Sequence, residues 1–218
     1  MLAGAYLLLK KSTSVRDSSV VEWINHPLEH PDWLTRAGSR CKNAPFIIPS
    51  EGYIGYLWND TFKLFHPHQG IDIFGGRDVG VTPVYVVYDG YLTRNADWKS
   101  SLIIRIPHDP LQPGRQIWTY YTHLADPNGQ SLISDRFPPG VKEMAVKQGD
   151  LLGYQGNYSG DPNNPVGIHL HFSVVKDNGR GNYLNELDIQ NTVDPSPYFG
   201  MDLNADTNRS LTPAVCRP

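Results

Sequence analysis

Short runs of alternating apolar and polar residues recur along this chain between turn-forming clusters. The clearest is Val166–Val174, where Ile168, Leu170, Phe172 and Val174 fall on one side and His169, His171 and Ser173 on the other. Such alternation predicts a strand with one buried face. Residues two apart on a strand share a face and stand about 6.6 to 6.8 Å apart. Both imidazoles therefore project into one space while the apolar side anchors the strand in a core. Further strands are expected at Pro45–Pro49, Pro83–Tyr88, Leu102–Ile106 and Ile117–Leu124. Asp89-Gly90 predicts a hairpin turn with Tyr91–Thr93 as its return. Val146–Tyr154 reads as a strand–turn–strand unit. The expected fold class is all-β.

Composition agrees with that reading. The 218 residues suffice for one domain of generous size, or one domain with extensions. Twenty glycines, 18 prolines and 11% aromatic residues favour short strands and turns over long helices. A helical turn or two is plausible at Val20–Ile24. The formal net charge of −3 gives no electrostatic case for nucleic acid or an anionic membrane as partner. The apolar run Leu2–Leu9 is too short to span a bilayer. Lys10-Lys11 follow it, whereas a signal peptide carries its basic residues first. It reads as the end of a longer export segment or as a hydrophobic strand. Cys41 and Cys216 show no metal-binding spacing; they suit one disulfide in an exported protein or two free thiols.

Candidate chemistry lies in the histidines. In His66-Pro67-His68-Gln69-Gly70-Ile71-Asp72-Ile73, a His and an Asp four apart would meet on a helix. Pro67, Gly70, Ile71 and Ile73 oppose one. On a straight strand His68 and Asp72 would lie about 13 Å apart, too far to share an ion held at about 2.0 to 2.2 Å from each ligand. If both are ligands, the chain bends between them, and Gly70 permits the bend; the alternative is a His-rich turn with an Asp cap. His123 ends a strand where a long loop, Ala125–Ala145, begins, a common place for a functional side chain. His26 and His30 fall in a Pro-flanked surface loop. Tyr53, Tyr56 and Trp58 suggest packing around the mouth of a β domain. Two imidazoles, one carboxylate and an open position suit hydrolytic zinc. They also suit a non-haem Fe(II) triad, although that class normally places one residue between its first His and its carboxylate, and here there are three.

Several segments occur in the order found in one enzyme family. They are His68-x-x-x-Asp72 with Gly70 between, Thr82-Pro83-Val84 leading to Asp89-Gly90, Tyr121-x-His123-Leu124, Gly149-Asp150-Leu151-Leu152-Gly153, and His169-Leu170-His171-Phe172. In this the chain resembles the lysostaphin/LytM-type zinc metallopeptidases (metallopeptidase family twenty-three), over about residues 46–200. The resemblance implies an open, mostly antiparallel, barrel-sandwich-like β-sheet core with a groove, and cleavage of peptide bonds in peptidoglycan. It implies one zinc per chain on His68, Asp72 and His171, with His123 and His169 as an unligated catalytic pair. Tyr121, Tyr154, Asn157 and Tyr158 are expected along the groove. The Ala125–Ala145 and Gly156–Gly167 loops are longer than the family pattern. Residues 1–45 and 201–218 have no counterpart in it and are expected to form an N-terminal extension and a C-terminal tail.

No Glu stands in a helical His-Glu-x-x-His arrangement, so a general base is expected from His123 or His169. A non-catalytic peptidoglycan-binding or activator module of the same fold is the competing reading. It would lack at least one of the five site residues, and none is missing. A lipoyl carrier, suggested by the Gly149–Gly153 turn, needs a lysine at its hairpin tip, and Lys147 is not placed there. The expected partner is a peptidoglycan peptide, with no nucleic acid and no stable membrane span. The protein is expected to act as a monomer, outside the cytoplasm.

Overall fold

Period-two segments in this chain are too short to bury a core singly, and they assemble by antiparallel pairing. A computed structural model describes residues 15–61, 67–209 and 213–216; the Leu2–Leu9 run lies outside them. Among the described residues the strands are β1 (Tyr53–Tyr56), β2 (Ile71–Phe74), β3 (Pro83–Tyr85), β4 (Gly90–Thr93), β5 (Leu102–Ile106), β6 (Ile117–Thr122), β7 (Met144–Val146), β8 (Leu151–Tyr154), β9 (Leu170–Lys176) and β10 (Thr192–Val193). The helices are α1 (Val15–Asn25) and α2 (Ser196–Phe199), beside three short 3-10 turns. The fold is mainly β, as expected. One antiparallel sheet runs β1-β2-β9-β6-β5-β4-β7, with β10 also on β9, and a smaller sheet pairs β3 with β8.

Ile71, Ile73, Leu170, Phe172, Val174, Leu102, Ile104 and Leu92 point from the large sheet into the main core. Val84, Leu152, Phe46, Ile48, Phe137 and the α2 residues Tyr198 and Phe199 close that core from the other side. The opposite face of the large sheet carries the polar row that forms the site.

The expected Asp89-Gly90 hairpin does not form. β3 pairs with β8, whereas β4 pairs with β5 and β7, so the chain changes sheets at Asp89. The Val146–Tyr154 unit crosses the other way, with β7 in the large sheet and β8 in the small one. The two crossings bind each other: Val86 N donates to Asp150 O at 2.9 Å and Gly149 N to Val86 O at 2.9 Å. Asp89 accepts from Gln148 N at 2.8 Å and from Lys147 Nζ at 2.8 Å. Asp89 lies in a bend and Gly90 already belongs to β4, so the Asp-Gly pair marks a change of direction between sheets and not a hairpin turn. Pro45–Pro49 is no regular strand either; its prolines cannot donate to a ladder, and it serves by burying Phe46 and Ile48.

Both flanks of the chain are built onto this core. On α1, Val20 and Trp23 pack against Tyr53 and Phe74, and Trp23 Nε1 donates to Phe74 O at 2.8 Å. Arg16 Nε pairs with Asp60 Oδ2 at 2.8 Å. Beyond α2, Met201 and Leu203 enter the main core. Cys41 and Cys216 form a disulfide that joins positions 175 residues apart, with Cα atoms at 5.2 Å.

Candidate metal centre

The site is a row across the sheet. Tyr56 on β1 stands opposite Asp72 on β2, Asp72 opposite His171 on β9, and His171 opposite Thr122 on β6. Directly opposed residues of antiparallel strands share a face, so the register alone brings these four side chains together. The strand expected from Val166 begins at Leu170. His169 precedes it, joined to Gly156 by a single bridge, and its ring stacks on Phe74 with centroids 5.0 Å apart.

His68 lies outside β2, in a bend whose backbone is held by the 59–60 turn: His68 N donates to Asp60 O and Asn59 N to His68 O, both at 2.8 Å. The bend between His68 and Asp72 is therefore real, but Gly70 serves it differently from the expectation. A Cβ there would lie 2.0 Å from Phe172 O. Gly70 is needed because β9 passes against it.

Three donor atoms converge. His68 Nε2 is 3.0 Å from Asp72 Oδ1 and 3.0 Å from His171 Nδ1, and His171 Nδ1 is 2.8 Å from Asp72 Oδ1. His68, Asp72 and His171 can thus offer one ligand atom each to a single ion. A tetrahedral ion with ligands at about 2.0 to 2.2 Å separates its donors by about 3.3 to 3.6 Å, close to these spacings.

Tautomers test that fit. His68 Nδ1 lies 2.9 Å from Leu57 O. A carbonyl only accepts, so that nitrogen carries the proton and a neutral His68 aims a lone pair from Nε2 at Asp72 and His171. Lone pairs converging on a carboxylate oxygen need positive charge between them, as an added proton or a metal ion. His171 is turned the other way, with Nε2 3.0 Å from Ser173 Oγ and Nδ1 facing the centre. Partners of this kind on the outer nitrogen fix ring orientation in metal sites.

His169 and His123 complete the constellation. Their Nδ1 atoms lie 2.6 Å from Gly167 O and 2.8 Å from Tyr158 O, so both carry their proton on Nδ1 and leave Nε2 available. Their rings are 4.5 Å apart, and His169 Nε2 is 3.6 Å from Asp72 Oδ1. His123 leaves β6 with φ +71°, a left-handed conformation unusual outside glycine. Burial, then the neighbouring His169, pushes the His123 imidazole down to about 3, so it is neutral near pH 7. Burial opposes charge on the Asp72 carboxyl, yet the surrounding imidazoles outweigh it and hold Asp72 well below the usual carboxylate range.

The cluster lies in a groove of about 700 Å³ that is also lined by Tyr56, Phe74, Tyr120, Glu186 and, from α1, Val20 and Ile24. The expected groove residues fare differently. Tyr121 is fully buried in the main core, its Oη accepting from Val87 N at 3.1 Å, because strand alternation turns Tyr120 to the groove instead. Tyr154 is exposed on β8, away from the groove. Asn157 is bound through its backbone to Ala125 O at 3.0 Å. Tyr158 is buried and acts on the site through the carbonyl that holds His123. Ser173 was visible in the alternation as a face-mate of the histidines; nothing local in sequence marked Glu186.

No protein-family profile matches this chain, and no curated protein sequence matches it. Solved structures do. The chain is similar to the catalytic domain of the antimicrobial peptidase lysostaphin from Staphylococcus simulans, at 18% identity and TM-score 0.43, over 68% of this chain and 90% of that one. It is similar to Csd3 from Helicobacter pylori at 19% identity and TM-score 0.38, over 64% of this chain and 33% of that one. A zinc-containing peptidase from Vibrio cholerae matches at 20% identity and TM-score 0.36, over 71% of this chain and 40% of that one.

Proposed function

We propose that this chain is a zinc-dependent endopeptidase that hydrolyses peptide bonds in peptidoglycan stem peptides or cross-bridges, with a peptidase unit over about residues 46–200. The observation that carries this reading is the convergence of His68 Nε2, Asp72 Oδ1 and His171 Nδ1 at 2.8 to 3.0 Å, on the floor of a groove that also holds two further imidazoles. The ordered motifs that resemble lysostaphin/LytM-type enzymes support the choice of metal and substrate. The Cys41–Cys216 disulfide supports work outside the cytoplasm, where such bonds persist.

His68, Asp72 and His171 would hold the zinc. When bound, it would supply a Lewis acid and a water acidified toward neutrality. The chain's own share of the chemistry then falls to His123 and His169. Each keeps Nδ1 engaged on a backbone carbonyl, so each presents Nε2 as a base in the neutral form and as a donor once protonated. One takes the proton of the attacking water at Nε2, and the pair delivers that same proton to the leaving amine, the histidine that holds it donating to the developing oxyanion on the way. Phe74 against His169, and the Tyr158 carbonyl on Nδ1 of His123, keep both rings aimed into the groove.

The test is metal analysis of the purified chain alongside mass spectrometry of fragments released from several peptidoglycan chemotypes. About one zinc per chain, with new amino and carboxyl termini in the peptide portion, is the expected result. Intact peptidoglycan after treatment with the zinc-loaded protein, or oxygen-dependent turnover with iron, would overturn the proposal.

A further inference from the structure

Among the described residues Glu186 is the one carboxylate lining the groove apart from Asp72, and no lysine or arginine lines it. Among the described residues its carboxylate has no partner beyond its own backbone N–H. Burial raises its carboxyl above the ordinary value, the mark of a charge partly removed from water without a counter-charge. Its position is nevertheless well fixed. Leu184 N donates to Lys176 O at 3.0 Å, Gln69 Nε2 donates to Leu187 O at 3.0 Å, and Asn191 Nδ2 donates to Asn185 O at 3.0 Å. The Gln69 contact ties the Glu186 segment to the residue beside His68.

The register locates its groove neighbour Tyr120 relative to the metal cluster. Glu186 and Tyr120 line the same groove and interact electrostatically. Tyr120 stands opposite Ser173, one same-face step along β6 from Thr122, which faces His171. Such a step is about 6.6 to 6.8 Å, roughly two residues of extended peptide. The Tyr120 hydroxyl is engaged with Ser101 Oγ at 3.0 Å, and Ser101 Oγ with Thr122 Oγ1 at 2.7 Å. The acidic charge at this end of the groove is thus left for a ligand.

We propose that Glu186 forms a cation-binding subsite of the groove, taking an ammonium group carried by the peptide about two residues from the bond that is cleaved. This deepens the endopeptidase reading and rests on it for its place relative to the scissile bond. The ammonium is that of a lysine-like side chain. It supplies the missing counter-charge, and the adjacent Leu187, with Ile24 lining the same groove, suits its methylene stem.

The experiment uses the full zinc-loaded chain and a panel of peptides spanning a cleaved bond. Each member carries lysine, or its uncharged isostere norleucine, at one position within three residues on either side. At one position the lysine peptide is expected to have a kcat/KM roughly tenfold above its norleucine twin, the scale of a charge-assisted hydrogen bond. The ratio falls to near one in Glu186→Gln and below one in Glu186→Lys. Wild-type protein that favours lysine at no position, or a preference that survives Glu186→Gln, would overturn the subsite. If wild-type protein cleaves no member, the endopeptidase reading fails separately. Calorimetric titration of the same pairs then decides the subsite: lysine-selective binding that Glu186→Gln abolishes supports it, and equal binding overturns it.

Discussion

Asp72 and His171 are direct partners across β2 and β9, with Oδ1 and Nδ1 2.8 Å apart, and each belongs to a strand whose opposite face lies in the main core. The geometry of the centre is thus set by sheet register. A one-residue slip of β9 against β2 would turn His171 into the core and Leu170 or Phe172 into the groove. Register here is strongly specified, because Leu170, Phe172 and Val174 are wholly buried.

Removing a converging donor should therefore empty the centre without unfolding the sheet. His171→Ala leaves His68 and Asp72, and zinc content after dialysis against a weak chelator is expected to fall to near zero together with hydrolysis. Circular dichroism should remain that of the parent. Retention of one zinc per chain by this variant would place the ligands elsewhere.

Ser173 is fully buried, and its Oγ lies 3.0 Å from His171 Nε2. It leaves Nδ1, rather than Nε2, facing Asp72. Ser173→Ala should weaken zinc binding by about 10- to 100-fold, the usual effect of removing such an outer partner. Competition with a chromophoric chelator measures it. An unchanged affinity would mean that packing alone orients the ring.

How much of this was legible in the chain follows from what each signal reports. Alternation at Ile168–Val174 reports a face, and His169, His171 and Ser173 do share one. The spacing of His68 and Asp72 demanded a bend, and the structure has it. What alternation cannot report is which of two adjacent tyrosines faces the groove, and Tyr121 rather than Tyr120 was expected there. Nor can a local turn signal foresee that β3 and β4 part into different sheets at Asp89. Glu186 was illegible for a further reason. Its meaning depends on lacking a counter-charge, a property of the folded groove and not of any sequence window. The 11-residue α1 was foreseen only as a turn or two at Val20–Ile24, because its apolar face is narrow and gains its place from Tyr53 and Phe74.

The disulfide closes a long loop, and loops of this length constrain the unfolded chain most. With Cys41 and Cys216 separated by 175 positions, the chain-entropy estimate reaches about 5 kcal/mol. Replacing both by serine should lower the urea midpoint markedly while leaving the groove residues in place. An unchanged midpoint would show that the bond contributes nothing to the folded state.

The two imidazoles outside the converging donors allow the sharpest separation of roles. His169→Ala and His123→Ala each leave His68, Asp72 and His171 untouched, so zinc content should stay near one per chain. What each removes is an Nε2 held ready by a Nδ1–carbonyl contact. General acid–base groups typically contribute about 10²- to 10⁴-fold, and the loss should fall on kcat more than on KM. Because the rings lie 4.5 Å apart and would share the proton traffic of the proposed reaction, the double variant should be far less impaired than the product of the single losses. The measurement is zinc content beside kcat for both single variants and the double. A His169→Ala protein that loses its metal would make His169 a ligand. Its Nε2 stands only 3.6 Å from Asp72 Oδ1, so this outcome has a definite geometric meaning. Strictly multiplicative losses would mean instead that the two histidines serve independent steps, and the shared proton path would have to be abandoned.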